Sequence, residues 1–137
     1  MFKIIRHLLL LVISLTALPI WAEDEGVAQK KAIYYAIADP FTINFLSQSS
    51  QEARFLQIKV SLMAHDQYII NQAKLNLPML QDELHTLFSE QTLETVNSVK
   101  GRKELQLSAL KTVKTILKEE TGKDNIDAVY FTSFILQ

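Results

Sequence analysis

The segment that decides the fold is residues 127–137, Asp127-Ala128-Val129-Tyr130-Phe131-Thr132-Ser133-Phe134-Ile135-Leu136-Gln137. It is rich in aromatic and β-branched residues and contains neither glycine nor proline, a composition typical of a β-strand. A segment of this kind frays unless it is tied into a sheet. We therefore predict that it forms a strand whose side chains are buried within the fold or against another protein.

Strict alternation along this strand predicts two faces. The first face carries Val129, Phe131 and Ile135, and the second carries Tyr130, Phe134 and Leu136. Because helices on one side of a small sheet leave its other side uncovered, a neighbouring subunit is expected to cover one of the two sets. We take Tyr130, Phe134 and Leu136 as the candidate oligomer or partner surface.

Residues 1–22 have the order of a secretory signal peptide: a basic start, an apolar run and a small residue before acidic residues. A helix from Leu8 to Ala22 would span roughly 22 Å, short of the roughly 30 Å hydrocarbon core of a membrane. We predict cleavage after Ala22 and export, with retention as a short membrane anchor as the alternative. An acidic and polar lead follows at residues 23–31, and residues 32–137 form one domain.

The composition excludes several classes of protein. Of the 137 residues, 48% are hydrophobic and none is cysteine, so disulfides and lipid attachment at a cysteine are excluded. Lysine and arginine number 14 against 15 aspartate and glutamate residues. A chain without a strongly basic face is not expected to bind nucleic acid.

Extended structure is predicted for the first part of the domain. Residues 54–65 alternate most clearly, with apolar side chains at the even positions from 56 to 64 and mostly polar ones at the odd positions. Residues 32–46 are also extended, with an interruption at Asp39-Pro40 because proline cannot donate to a sheet. A polar turn at residues 47–51 separates the two.

Helical periodicity follows these strands. Asp66 can cap a first helix, which Pro78 kinks or restarts. A second long helix is predicted over residues 102–121, with Gly101 before it and Gly122 as its left-handed terminator. The fold class is therefore α+β, a small antiparallel or mixed sheet with two long helices on one face, in the order β-β-α-α-β.

The sequence contains no recognisable set of catalytic residues. Asp82 and His85 have the i, i+3 spacing that could supply half of a metal site, although a solvated helix face often carries such a pair. The phosphate-binding, nucleophile and zinc-protease motifs are all missing. We predict a binding or assembly protein that is not an enzyme and uses no cofactor or metal.

Five stretches resemble, in the same order, the FliL family of flagellar basal-body-associated proteins. They are Tyr35-x-x-x-Asp39-Pro40-Phe41-Thr42-Ile43-Asn44, Arg54–Leu62, Pro78–Ser89, Gly101–Leu105 and Ile126–Gln137. The ordered set, with its Asp-Pro-Phe-Thr element and its final Val-Tyr-Phe-Thr-x-Phe element, is more specific than any single stretch. Together the stretches span almost the whole predicted domain.

The resemblance implies a periplasmic domain near the inner membrane, similar to the SPFH (stomatin/prohibitin) core, that forms rings. It implies a role around or beside the stator units of the flagellar motor, in torque and in swimming or swarming motility. The implied partners are stator proteins, other basal-body components, and either further copies of this chain or a membrane-anchored FliL sibling. A periplasmic scaffold of the same fold in another cell-envelope complex is the alternative.

One feature departs from the family pattern. Members usually carry a membrane span and a polar linker before the domain, whereas residues 1–22 here resemble a cleavable signal. The resemblance therefore implies an exported FliL-like paralogue, or a variant with a minimal anchor. It implies no catalytic residues.

Overall fold

The computed structural model describes residues 29–45 and 54–137. The predicted signal peptide, most of the acidic lead and the predicted polar turn lie outside these residues. Eight elements follow in chain order: β1 (Ile33–Ala36), β2 (Phe41–Asn44), β3 (Phe55–Ala64), α1 (Gln67–Leu75), α2 (Leu77–Ser89), α3 (Leu93–Asn97), α4 (Val99–Thr121) and β4 (Ala128–Leu136).

The sheet is antiparallel and is built around β3. Strands β1 and β2 lie end to end along one side of β3, and β4 pairs with its other side. The backbone N–H of Ile37 donates to the carbonyl oxygen of Val60 (2.9 Å), so the ladder continues up to the interruption at Asp39-Pro40. The first two strands are therefore one edge that proline divides.

The alternation predicted for β3 is confirmed. Its even-numbered residues are all buried: Leu56, Ile58, Val60, Leu62 and Ala64. The helices contribute the other half of the core. The ring of Phe88 in α2 packs edge to face on two other rings, with its centre 5.1 Å from that of Phe41 and 5.7 Å from that of Phe131. Burying this apolar layer is the main favourable contribution to folding.

The prediction of an α+β fold with an antiparallel sheet is confirmed, but the order of its elements differs from the predicted one. Three strands and four helices precede β4, because Pro40 splits the first edge, Asn76 splits the first helix, and the short helix α3 is an additional element. Asp66 caps α1 by accepting from the backbone N–H of Tyr68 (2.9 Å), as predicted. Pro78 lies in the first turn of α2, so the helix restarts there instead of bending.

Helix α4 begins at Val99, three residues earlier than predicted. Ser98 caps it by accepting from the backbone N–H of Gly101 (2.9 Å), which places this glycine inside the first turn. A Cβ atom at position 101 would lie 2.2 Å from the carbonyl oxygen of Thr95. Gly101 is therefore required by the close approach of α3. Gly122 ends the helix in the left-handed conformation (φ 77°), as predicted.

Strand β4 contains a bulge opposite the middle of β3. Lys59 pairs with Ser133, whereas the next residue of β3, Val60, pairs with Phe131. Thr132 is therefore an extra residue, and its hydroxyl donates to the carbonyl oxygen of Lys59 (3.4 Å). A bulge of this kind shifts the alternation of side chains by one residue.

The predicted faces of β4 are therefore wrong beyond the bulge. The residues that pair with the buried positions of β3, and so face the helices, are Val129, Phe131, Phe134 and Leu136. Tyr130 and Ile135 lie on the opposite face. The prediction assumed an uninterrupted alternation, which placed Phe134 and Leu136 together with Tyr130.

The close approach at Gly101 generates a first prediction. At an open helical position, alanine is favoured over glycine by about 1 kcal/mol. Here Gly101→Ala should instead lower the free energy of unfolding by about 1–3 kcal/mol, because the new methyl group forces α3 and α4 apart. Ser108→Ala, on the exposed side of α4, is the control and should change it by less than about 0.5 kcal/mol. Urea unfolding measures both, and a stabilised Gly101→Ala variant would contradict this packing.

The bulge generates a second prediction. Deleting Thr132 leaves Phe131 and Ser133 as neighbours opposite Val60 and Lys59, so later side chains keep their faces. The free energy of unfolding should then fall by less than about 1.5 kcal/mol. Deleting Tyr130 is the control, since it turns Val129 or Phe131 away from the core and should cost about 3 kcal/mol or more. Equal losses in urea unfolding would show that the bulge is misplaced.

Candidate partner-binding surface

The face of the sheet that points away from the helices carries a group of apolar side chains. We call the surface formed by Tyr34, Phe55, Met63, Tyr130 and Ile135 the open face. Tyr34 is 62% exposed and Tyr130 is 38% exposed. The centres of their rings lie 6.2 Å apart across β3. Tyr34 pairs with Met63, and Tyr130 pairs with Ser61, the next residue of β3 on the same face. Large exposed aromatic side chains on one face are typical of a surface that meets another protein.

Phe134 and Leu136, the other two residues of the predicted surface, lie on the helix side and are half-buried. Phe134 lines a groove of about 570 Å³ between β4 and the start of α4. We call this the edge groove; its lining is Val99, Arg102, Lys103, Gln106, Phe131 and Phe134. The guanidinium of Arg102 lies 5.5 Å from the centre of the Phe134 ring, a cation–π contact.

The structure therefore separates the predicted surface into two. Tyr130 belongs to the open face, where Tyr34, Phe55, Met63 and Ile135 join it, and none of these four was among the predicted partner residues. Sequence alone could have suggested Tyr34 only as an aromatic residue on a predicted strand, because Ile33-Tyr34-Tyr35-Ala36 shows no alternation of apolar and polar residues. The basic side of the edge groove had no such signal, since Arg102 and Lys103 have the pattern of an ordinary solvated helix.

Four polar residues join the end of β3 to the start of β4. The Nδ1 atom of His65 lies 2.8 Å from Oδ2 of Asp127, which also accepts from the backbone N–H of His65 (3.1 Å). The Nδ2 group of Asn125 donates to Oδ2 of Asp66 (2.9 Å). We call these four residues the polar joint. Its bonds are made within the fold, so we assign it a structural role.

The surroundings of Asp66 in the polar joint favour its charged form. The hydrogen bond from the backbone N–H of Tyr68 and the side-chain bond from Asn125 lower the pKa of the Asp66 carboxyl below its ordinary value of 3.8. Lys123 contributes a weaker attraction. The carboxylate therefore stays charged while it caps α1.

Asp82 and His85 lie on the exposed side of α2 and form no larger cluster. The imidazole of His85 is close to the hydroxyl of Ser89 (3.4 Å). Within residues 29–45 and 54–137, no group of three or more His, Cys, Asp or Glu side chains could hold a metal ion. Over the same residues, no helix combines the length and apolar character needed to cross a bilayer.

Together, the sheet, the helices and the open face define a small α+β domain whose candidate site is a surface for another protein. The chain belongs to the FliL family: the family model described as flagellar basal body-associated protein FliL matches residues 34–137. This range begins in β1 and includes every later element of the fold. The resemblance seen in the sequence is thereby confirmed.

A curated relative supports the assignment. The chain is 27% identical over 105 residues to a protein named flagellar protein FliL from Aquifex aeolicus (strain VF5). The match covers 77% of this chain and 62% of the relative. The chain therefore spans about three fifths of the length of the curated relative that it matches.

The lowered pKa of Asp66 generates a third prediction. Between the lowered pKa of the folded state and the ordinary pKa of 3.8, the folded protein keeps this carboxylate charged whereas the unfolded chain binds a proton. The stabilising effect of the charged carboxylate is therefore complete above the ordinary pKa. The effect is lost as the pH falls through the lower pKa of the folded state. Asp66→Asn retains a capping oxygen without the charge, so its stability relative to wild type should rise as the pH is lowered.

Urea unfolding between neutral pH and the acid range measures this difference. Asp82→Asn, on the exposed side of α2, controls for the loss of one negative charge. If the free energies of unfolding of Asp66→Asn and wild type differ by the same amount at every pH, protonation of Asp66 is not coupled to stability and the prediction is wrong.

Proposed function

We propose that the protein is a non-enzymatic flagellar basal-body protein that assembles around or assists the motor stator and so supports torque in swimming and swarming. The observation that carries this proposal is the family match, which begins in β1 and includes every later element of the folded domain. The open face supports it further, because its exposed rings suit contact with a protein better than contact with a small substrate.

The proposed site of action is the periplasm beside the inner membrane. Residues 1–22 direct export in this proposal and are then removed, and residues 32–137 act as the domain. A protein freed from the membrane loses the high effective concentration that a tether provides. It therefore needs an extensive contact with the stator, with further copies of itself in an SPFH-like ring, or with a membrane-anchored FliL sibling.

The open face is the surface that we propose for this contact. Tyrosine is enriched at the centres of protein interfaces because it combines a large apolar ring with a polar tip. Tyr34 and Tyr130 lie together on the sheet, so one partner could cover both rings. Introducing charge at both positions should weaken binding without disturbing the core, since both side chains point away from the helices.

A fourth prediction tests this proposal in cells. A strain that lacks the gene, and any sibling gene, should swim and swarm less under high viscous load, and the wild-type gene should restore motility. The Tyr34→Glu/Tyr130→Glu variant should still fold, with its free energy of unfolding lowered by no more than about 2 kcal/mol because the ring contact is lost and two like charges are brought together, yet fail to restore motility. Leu75→Glu, at an exposed apolar position on α1 away from the sheet, is the matched control and should restore it.

A fluorescent fusion separates the proposal from its alternative. Foci at the flagellar motor that disappear in the tyrosine variant are the expected result. Foci elsewhere in the envelope, with normal motility in the deletion strain, would instead favour a scaffold of another complex. N-terminal sequencing of the exported protein tests the proposed cleavage after Ala22.

A further inference from the structure

The part of β4 that follows the bulge, residues 133–136, has an unpaired backbone edge. Phe55 and Gln137 exchange two backbone hydrogen bonds (2.8 and 2.9 Å). Because bonded pairs alternate in an antiparallel ladder, Phe134 and Leu136 direct their N–H and C=O groups away from β3. Within the part of the chain that the structure describes, no hydrogen bond reaches these groups. An open row of this kind is a template for an added strand.

Helix α4 covers the same edge before the bulge. The side-chain amide of Gln106 donates to the carbonyl oxygen of Val129 (2.7 Å). The ammonium of Lys114 donates to the carbonyl oxygen of Ile126 (3.4 Å). The open edge therefore lies beyond Val129, and its regular part after the bulge is residues 133–136. These residues contain neither a charge nor a proline, the features that usually protect an edge strand.

The edge groove places positive charge beside this open edge. Its lining includes Arg102 and Lys103 but no carboxylate. Helix α4 as a whole carries six lysine and arginine residues against three glutamates. Since Arg102 lies over the ring of Phe134, its charge is close to the residue whose backbone is unpaired. An acidic side chain that entered the groove would meet two cations without a competing carboxylate in the lining.

We propose that the open edge of β4 and the edge groove together bind an extended acidic segment of a partner protein, which adds to the sheet as an antiparallel strand. This inference rests on the proposed role in binding other proteins. The acidic residues of the segment lie at alternate positions, over Phe134 and Leu136, where they reach Arg102 and Lys103. The intervening residues lie on the other side of the sheet, beside Ile135, and are apolar.

The charge of the groove argues against a second copy as the occupant. Antiparallel pairing of β4 with β4 would place both helical layers on the same side of a continuous sheet. Arg102 and Lys103 of one copy would then approach the same residues of the other. Like charges brought together across an interface oppose association. An acidic strand replaces this repulsion with attraction.

A fifth prediction tests the inference with synthetic peptides and the protein purified from the cell envelope. A fluorescent seven-residue peptide that alternates Glu and Val, with blocked ends, should bind in an anisotropy titration. A peptide that alternates Lys and Val should not bind. Bound peptide should also slow hydrogen exchange at the amides of Phe134 and Leu136. Equal binding of the two peptides, or binding of neither, would overturn the inference.

Backbone methylation of the peptide tests whether a strand is added. In an antiparallel pair, bonded and non-bonded pairs alternate and therefore lie on opposite faces. Since Phe134 and Leu136 direct their N–H and C=O groups to the open edge, the Glu residues opposite them form the bonded pairs, so the Glu amides face β4. N-methylation of the Glu residues should therefore abolish binding, whereas N-methylation of the Val residues should preserve it. Equal affinities for the two methylated peptides would refute strand addition.

A charge reversal tests the groove. Lys103→Glu should weaken binding of the Glu-Val peptide about tenfold. Lys118→Glu makes the same change in charge near the other end of α4 and should leave binding nearly unchanged; equal effects would refute the groove.

These measurements are independent of location in the cell. If the protein binds the peptide but never gathers at the motor, the inference stands and the proposed function fails. If it gathers at the motor but does not bind the peptide, the proposed function stands and the inference fails.

Discussion

The pairing of β3 on both of its sides is the constraint on which the rest of the structure depends. This ten-residue strand contacts every other strand, and its even-numbered side chains form the floor of the core. Because side chains alternate along a strand, the register against β3 decides which face each residue of β1, β2 and β4 occupies. The helices then need only cover the buried face. The open face follows from the same pairing, since no described helix covers the other side.

Local signals in the sequence were sufficient for much of this fold. The alternation of β3, the cap at Asp66 and the terminator at Gly122 each depend on a residue and its near neighbours, and all three were predicted. The bulge at Thr132 depends on pairing with β3, which lies far away in the chain. Its trace in the sequence is the polar pair Thr132-Ser133, which interrupts an otherwise apolar strand. Gly101 was misplaced for a similar reason, because only the position of α3 shows why a side chain is excluded there.

The candidate surfaces were harder to predict than the fold, because each combines segments that are distant in sequence. Tyr34 and Tyr130 are brought together by two separate pairings with β3. Arg102 has a local pattern that indicates a solvated helix, and only its position over Phe134 distinguishes it. Membership of the FliL family could be predicted, since it depends on ordered motifs that the sequence carries directly.

The bulge also determines which residues belong to each of the two candidate surfaces. With uninterrupted alternation, Phe134 would lie on the open face and Ile135 would enter the edge groove. The extra residue instead places the larger ring beneath Arg102 and leaves Ile135 beside the open edge. The tyrosine pair then occupies the open face before the bulge, while the cationic groove and the unpaired backbone lie beyond it. Since the two surfaces use opposite sides of β4, one partner could pack on the tyrosines while the acidic strand of another pairs with the edge.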